Sequence, residues 1–232
     1  MNNKQKIRLV VFDMAGTTVN EQNVVYKSLQ TAVNKLGLSV TLDQVLLLGG
    51  GKEKLQALRD IIQATSPGLA DLEKKSKTAF EDFLSILEEA YANLEVSTYE
   101  GTVEIFGLLR KNGIKVALNT GYNSQTACAL LKKLNWREGQ TFDALVTADE
   151  VENSRPAPDM ILLAMEKLEI EDPQEVAKVG DSIVDIEEGK AANCALSLGV
   201  TTGAQTAEQL KTARPDHILD SLTELPAILS LQ

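Results

Sequence analysis

Four short polar segments hold the residue types that could do chemistry: Asp13-Met14-Ala15-Gly16-Thr17-Thr18, Asn119-Thr120-Gly121, Arg155-Pro156 and Gly180-Asp181-Ser182-Ile183-Val184-Asp185. They offer three carboxylates, several hydroxyls and one guanidinium. The chain has a single histidine, His217, and two cysteines, Cys128 and Cys194. His-based triads, multi-His metal sites and Cys-rich zinc sites are therefore excluded, and catalysis would fall to carboxylates, lysines and hydroxyls. His217 reads as structural. Each segment alone is a weak signal, because an Asp at a strand end is common. Their order, spacing and placement give them joint meaning.

The elements that must position them follow from hydrophobic pattern. Ile7–Phe12 is a short apolar run rich in β-branched residues that stops at Asp13, the pattern of a buried parallel strand. No second strand is expected directly after it. Tyr26, Leu29, Ala32, Val33 and Leu36 place a helix over Glu21–Leu36, closed by Gly37. Further helices are expected from Thr41 to the Gly49-Gly50-Gly51 break, from Lys52 to Ala64, and from Asp71 to Leu94. From Gly101 the rhythm changes. Strands at Ile114–Leu118, Phe142–Thr147, Val176–Val179, Leu196–Val200 and from Ile218 alternate with helices at Val103–Lys111, Ser124–Leu134, Pro158–Leu168 and Ile186–Ala192, before a final helix. Such alternation means right-handed βαβ units and a parallel sheet covered on both faces. The expected fold is α/β: a Rossmann-like core from residues 1–19 and 97–232, with a helical domain, 20–96, inserted after the first strand. The insertion would cover the carboxyl edge of the sheet, where such folds bind ligands.

Composition narrows the partners. With 23 Lys+Arg against 33 Asp+Glu in 232 residues, the net charge is −10, and no basic patch suits nucleic acid or an anionic membrane. No apolar run approaches the ~20 residues of a membrane span, and the N-terminal residues lack a signal-peptide pattern. A cytoplasmic protein is expected, with both cysteines as buried, reduced thiols.

Together the four segments resemble the four motifs of the haloacid dehalogenase superfamily, over nearly the whole chain. The resemblance implies that Asp13 attacks phosphorus to give an acyl-phosphate that water later opens. It implies Mg²⁺ held by Asp13, the Ala15 carbonyl and Asp181, with Asp185 supporting those ligands. Thr17, Thr120, Gly121 and Tyr122 become the phosphoryl- or substrate-binding positions, and Arg155 the neutralising cation.

Departures from the common pattern narrow the reaction. Phosphatases of this superfamily carry a second Asp two residues after the nucleophile, as the acid for a leaving alkoxide. Here that position is Ala15. The string Asp13-Met14-Ala15-Gly16-Thr17-Thr18, with Arg155 and Thr120-Gly121-Tyr122, is similar to the phosphonatase branch, whose type enzyme is phosphonoacetaldehyde hydrolase. That branch breaks a P–C bond by forming a Schiff base on a lysine in the inserted domain. Lys52, after Gly49-Gly50-Gly51, matches that lysine, and Lys54 is the alternative. The expected substrate is phosphonoacetaldehyde or a related 2-oxo-phosphonate, and the replacement of the branch's usual histidine and cysteine by Leu55 and Asn23 points to a sister group acting on the related compound. The alternative reading is a phosphate-monoester phosphatase acting on a small metabolite, and a third is a catalytically silent binding protein on the same fold. The resemblance also implies a homodimer through the inserted domain, with the Tyr26–Leu36 and Leu84–Leu94 faces as candidates.

Overall fold

The computed structural model describes residues 6–231. In chain order its elements begin with β1 (Leu9–Asp13), β2 (Val19–Asn20), α1 (Val24–Lys35), α2 (Leu42–Gly49), α3 (Lys54–Thr65) and α4 (Leu72–Asn93). β3 (Ser97–Thr98), α5 (Thr102–Lys111), β4 (Lys115–Thr120), α6 (Ser124–Lys133), β5 (Ala144–Thr147) and α7 (Asp159–Lys167) follow. The last are β6 (Val176–Gly180), α8 (Ile183–Ala191), β7 (Leu196–Val200), α9 (Ala207–Thr212), β8 (His217–Leu219) and α10 (Leu225–Ile228).

The main sheet has six strands in the order β5-β4-β1-β6-β7-β8, every neighbouring pair parallel. β1 is central and wholly buried because both faces of the sheet are covered. Val10 and Phe12 face the cluster that holds Phe106 and Leu109 of α5, with the Phe12 and Phe106 ring centroids 5.1 Å apart. Leu9 and Val11 face Met160, Ile161 and Ala164 of α7. The first strand therefore delivers Asp13 rigidly to the carboxyl edge. The order changes direction across β1, with β4 on one side and β6 on the other, which opens the crevice where such sheets take ligands.

Four helices, α1–α4, form the insertion after the first strand. Contrary to expectation, a second strand does follow β1: Val19–Asn20 pairs antiparallel with Ser97–Thr98, forming a ribbon where the chain leaves and re-enters the core. Two-residue strands are too short to leave a periodic signal. The short helix α9 also went unforeseen, for the same reason.

α3 begins at Lys54, two residues later than the pattern suggests. Glu53 caps it, its carboxylate accepting the Leu55 and Gln56 N–H groups at 2.8 Å each. Lys52 is thereby left in the glycine loop outside the helix. The Tyr26–Leu36 face is not free for a second copy, because Tyr26, Leu29 and Val33 are buried with Phe83 and Leu87 of α4 in the chain's own core. The paired thiols also depart from expectation. Cys128, on α6, is exposed, and Cys194 is partly buried. No helix among the described residues is long and apolar enough to cross a membrane.

Candidate active site

The loop after β1 is built around one carbonyl. Met14 O accepts the N–H groups of Thr17, Thr18 and Val19 at 3.3, 2.9 and 2.7 Å, while the Thr18 hydroxyl donates to Asp13 O at 2.9 Å. Gly16 turns with φ +92°, a conformation that suits glycine, and a Cβ there would run into the Asp181 carboxylate. The loop thus brings Asp13, Ala15 and Thr17 against the β6–α8 turn. Thr17 is buried, its hydroxyl 3.4 Å from Asp181 Oδ1.

Arg155, which precedes a cis peptide bond to Pro156, organises the centre. Its Nη1 lies 2.5 Å from Asp13 Oδ1 and 3.0 Å from Asp185 Oδ1, and its Nε donates to Glu188 Oε2 at 3.0 Å. Nη2 donates to the Asn119 carbonyl at 2.9 Å and to Asn119 Oδ1 at 2.5 Å. A second buried cation, Lys178, stands beside it, 2.9 Å from Asp185 Oδ1 and 3.3 Å from Glu188 Oε2, and donates to Asn119 Oδ1 at 2.7 Å. The two cations lie close enough to Asp185 Oδ1 for ion pairing without being aimed for hydrogen bonds.

Lys178 and Glu188 are not among the residues read from sequence, and Asn119 appears there only within its segment, without a role. A lysine inside the apolar run of β6 was a usable signal, because a charge buried in a sheet must be paired. Glu188 lies three residues beyond Asp185, on the same face of α8.

Charge balance within this cluster is incomplete. Among the described residues, Asp13, Asp181, Asp185 and Glu188 stand against two directly paired cations, Arg155 and Lys178. Burial would raise Asp185, but Arg155 and Lys178 beside it hold its carboxyl below the usual range. Asp181 has no such partner: burial, then the charges of Asp13 and Asp185, push it well up, opposed by the Ala204 N–H at 2.5 Å. Burial likewise raises Asp13 despite Arg155. An excess of buried negative charge beside Asp13 and Asp181, with hard oxygen donors only, fits a divalent cation such as Mg²⁺. No three His, Cys, Asp or Glu side chains converge as a ready-made metal site among the described residues. Two carboxylates, a carbonyl and retained waters form a different set, the one Mg²⁺ commonly takes.

The insertion closes onto this centre through its glycine loop. Gly51 N–H donates to the Tyr26 hydroxyl at 3.2 Å, and Gly51 O lies 3.4 Å from Arg155 Nη1. Gly121 lies so close beneath that a Cβ on it would stand 2.7 Å from Gly51 O and 2.6 Å from Lys52 O. Thr120 Oγ1 accepts the Tyr122 N–H at 3.2 Å, which leaves its own proton to donate.

The structure does not bring the Lys52 ammonium into this constellation. Its Nζ pairs with Asp60 in the second turn of α3, at 2.5 Å, with 28% of the side chain exposed. Lys54 enters instead. It is 5% exposed, its Nζ bonds the Lys52 carbonyl, and it stands 5.4 and 5.0 Å from the ring centroids of Tyr26 and Tyr122. Burial lowers its ammonium to about 8, opposed by the negative charge of Asp13. Lys54, Gly121 and Tyr122 line a cavity of about 190 Å³ with Phe80, Phe83 and Leu87 of α4.

Comparison with known proteins gives the family. The chain is 27% identical to phosphonoacetaldehyde hydrolase of Latilactobacillus sakei, covering 97% of this chain and 95% of that protein. It is 28% identical to phosphoglycolate phosphatase of Escherichia coli, covering 100% and 96%. Among solved structures, a phosphonoacetaldehyde hydrolase-like protein from Oleispira antarctica superposes with a TM-score of 0.81 at 24% identity, covering 97% of this chain and 91% of that one. A hydrolase from Pseudomonas syringae gives 0.82 at 20% identity, covering 95% and 97%. The family profile described as haloacid dehalogenase-like hydrolase matches residues 7–193, and the chain belongs to that family.

Proposed function

We propose that this hydrolase cleaves the P–C bond of phosphonoacetaldehyde or a related 2-oxo-phosphonate, with Asp13 as nucleophile and Lys54 as the amine that forms the Schiff base. The observation that carries this reading is Lys54 itself. An ammonium lowered to about 8 is roughly one-tenth free base at pH 7, against a few parts in ten thousand at the ordinary 10.5. Lys52, paired with Asp60, is less suited to that work.

The reaction needs two things from these residues. Lys54 condenses with the substrate carbonyl to give an iminium, which accepts the electron pair of the breaking P–C bond as an enamine. Asp13 takes the phosphoryl group, and water later hydrolyses the aspartyl phosphate. Thr17, Thr120 and the Gly121 amide are the donors suited to phosphoryl oxygens, Tyr122 walls the carbonyl end, and Arg155 offsets the anion's charge. Mg²⁺, bound by Asp13, the Ala15 carbonyl and Asp181 with Asp185 behind them, would supply the charge that lets a carboxylate approach a phosphonate. No alkoxide leaves in this chemistry, so an alanine at position 15 forfeits nothing.

Phosphate-monoester hydrolysis is the second reading, favoured by the full-length likeness to a phosphoglycolate phosphatase. Borohydride reduction in the presence of phosphonoacetaldehyde, followed by peptide mass spectrometry, separates the two. A reduced adduct on Lys54, retained in Lys52→Arg and lost in Lys54→Arg, is the expected result. No adduct on any lysine, together with Mg²⁺-dependent phosphate release from monoesters, would sink the P–C reading.

A further inference from the structure

The cavity of about 190 Å³ adjoins the phosphoryl centre without containing it. Asp13, Thr17, Arg155 and Asp181 are absent from its walls, whereas Lys54, Gly121 and Tyr122 belong both to the centre and to the cavity. A carbonyl carbon carries two substituents. With the phosphonate-bearing one directed to Asp13 and the carbonyl at Lys54, the other is left to face this space. One wall is α4, whose Phe80, Phe83 and Leu87 share a helix face, the two ring centroids 5.9 Å apart. Thr126 at the start of α6 and Ala148 after β5 stand on the core side. The polar groups on the walls hold their own chain. Asn123 Oδ1 accepts the Thr126 N–H at 2.9 Å, and the Asp149 carboxylate accepts the Ser124 N–H and hydroxyl at 2.9 and 2.8 Å. Glu53 is the cap of α3. Among the described residues no arginine, and no lysine besides Lys54, lines the cavity, while the acids Glu53 and Asp149 both do. An apolar wall with acids beside it suits an uncharged hydrocarbon group and opposes a second anion.

We propose that the substrate is a 2-oxoalkylphosphonate, a ketone whose apolar tail fills this cavity while its phosphonate faces Asp13. The proposal rests on the P–C reading above and narrows it to one substrate class. The chemistry is that of the aldehyde. Lys54 condenses with the ketone and releases water, the P–C bond breaks, and hydrolysis of the enamine and of the aspartyl phosphate returns both groups. The net change is one water added across the P–C bond, giving inorganic phosphate and a methyl ketone. Size sets the length of the tail. A cavity of about 150 Å³ lined by aliphatic and aromatic side chains holds a benzene molecule, so this one takes a tail of up to about six carbons. In phosphonoacetaldehyde a hydrogen stands where the tail would be, and the faces of Phe83 and Leu87 gain no partner. Each methylene that enters leaves water for those faces, at about fourfold in binding. A carboxylate of the same size would instead lose its hydration beside Glu53 and Asp149.

The test is phosphate release from a ketone series, 2-oxopropyl-, 2-oxobutyl- and 2-oxopentylphosphonate, which share one carbonyl reactivity and differ in tail. In the unaltered protein kcat/KM should rise about fourfold with each methylene. The isosteric pair 3-methyl-2-oxobutylphosphonate and 2-oxo-3-phosphonopropanoate reads charge. The apolar member should be preferred by about tenfold or more, although the carboxylate makes the other ketone the more electrophilic. Thr126→Met places a larger side chain in the cavity and leaves the backbone bond to Asn123 in place. It should lower kcat/KM for the pentyl ketone about tenfold more than for the propyl ketone. A flat or falling series in the unaltered protein, or preference for the carboxylate, overturns the proposal without recourse to any variant. Equal slowing of all three ketones in Thr126→Met would make the cavity an entrance and overturns it as well. Cleavage of phosphonoacetaldehyde without gain along the series removes this proposal alone. Absence of P–C cleavage and of a borohydride-trapped adduct with every compound removes the P–C reading and this proposal together.

Discussion

Lys54→Met removes a buried ammonium while keeping an unbranched side chain between the Tyr26 and Tyr122 rings. Burial lowers the folded-state pKa from 10.5 to about 8, so the unfolded chain holds this proton more tightly by a difference of about 2.5 in pKa. At about 1.36 kcal/mol for each, the charged lysine costs the fold about 3 kcal/mol. The cost is complete below about pH 8, where both states are protonated. It shrinks as pH rises from 8 and vanishes above about 10.5, where neither state carries the charge. The attraction of Asp13, Glu53 and Glu21 is already contained in the value of about 8. Lys54→Met should therefore gain about 3 kcal/mol at pH 7, a rise in Tm of about 6–12 °C for a chain of this size, and almost nothing at pH 10.5. Urea unfolding at the two pH values, with unchanged m, measures it. A variant no more stable than the parent at pH 7, or one with the same gain at both pH values, would refute a desolvated ammonium at this position. The same variant should form no iminium, an instance of stability given up at a working site.

Two further substitutions test how the insertion meets the core and how the buried charges are held. In Gly121→Ala the new Cβ meets backbone carbonyls of Gly51 and Lys52 at 2.7 and 2.6 Å, which cannot rotate aside, so the glycine loop must lift by roughly 0.7 Å to reach an ordinary carbon–oxygen contact. Turnover of phosphonoacetaldehyde should fall about 10- to 100-fold with an unchanged circular dichroism spectrum; parental kcat/KM would show that the loop does not seat there. Lys178→Met leaves Asp185 and Glu188 with Arg155 alone and should cost about 3–5 kcal/mol in urea unfolding, partly restored by adding Glu188→Gln. Loss of less than about 1 kcal/mol would mean that the lysine does not neutralise this cluster.

Much of the fold was legible because its signals are local. β1, β4, β6 and β7 are short apolar runs ending at polar turns, and a sheet covered on both faces leaves that pattern in the sequence. The positions of Asp13, Thr120 and Asp181 follow from where those runs stop, whereas Arg155 lies eight residues past the end of β5. The β2–β3 ribbon and α9 were not legible, since a two-residue strand or a six-residue helix has no period to detect. Lys178 and Glu188 lay between these cases. Their burial was visible in the pattern, but their shared partner Asn119 was a fact of three dimensions.

The choice between two lysines shows how fine the boundary is. Lys52 and Lys54 flank Glu53, and a motif read by spacing after three glycines selects the first. Glu53 gives the two different surroundings. By accepting the Leu55 and Gln56 N–H groups it becomes the cap, so Lys54 is the first helical residue and Lys52 stays in the loop beside Asp60. Side chains on a helix lean toward its N-terminus. For Lys54 that direction is the glycine loop, Tyr26 and Tyr122, and hence the neighbourhood of Asp13. One capping carboxylate therefore assigns the two ammonium groups to different environments, one paired and partly exposed, the other dry and easily deprotonated. The net charge of −10 does not decide whether a small anionic substrate binds: beside Asp13 the cations Arg155 and Lys178 are already paired and negative charge is in excess, so a divalent cation such as Mg²⁺ would have to make up the difference.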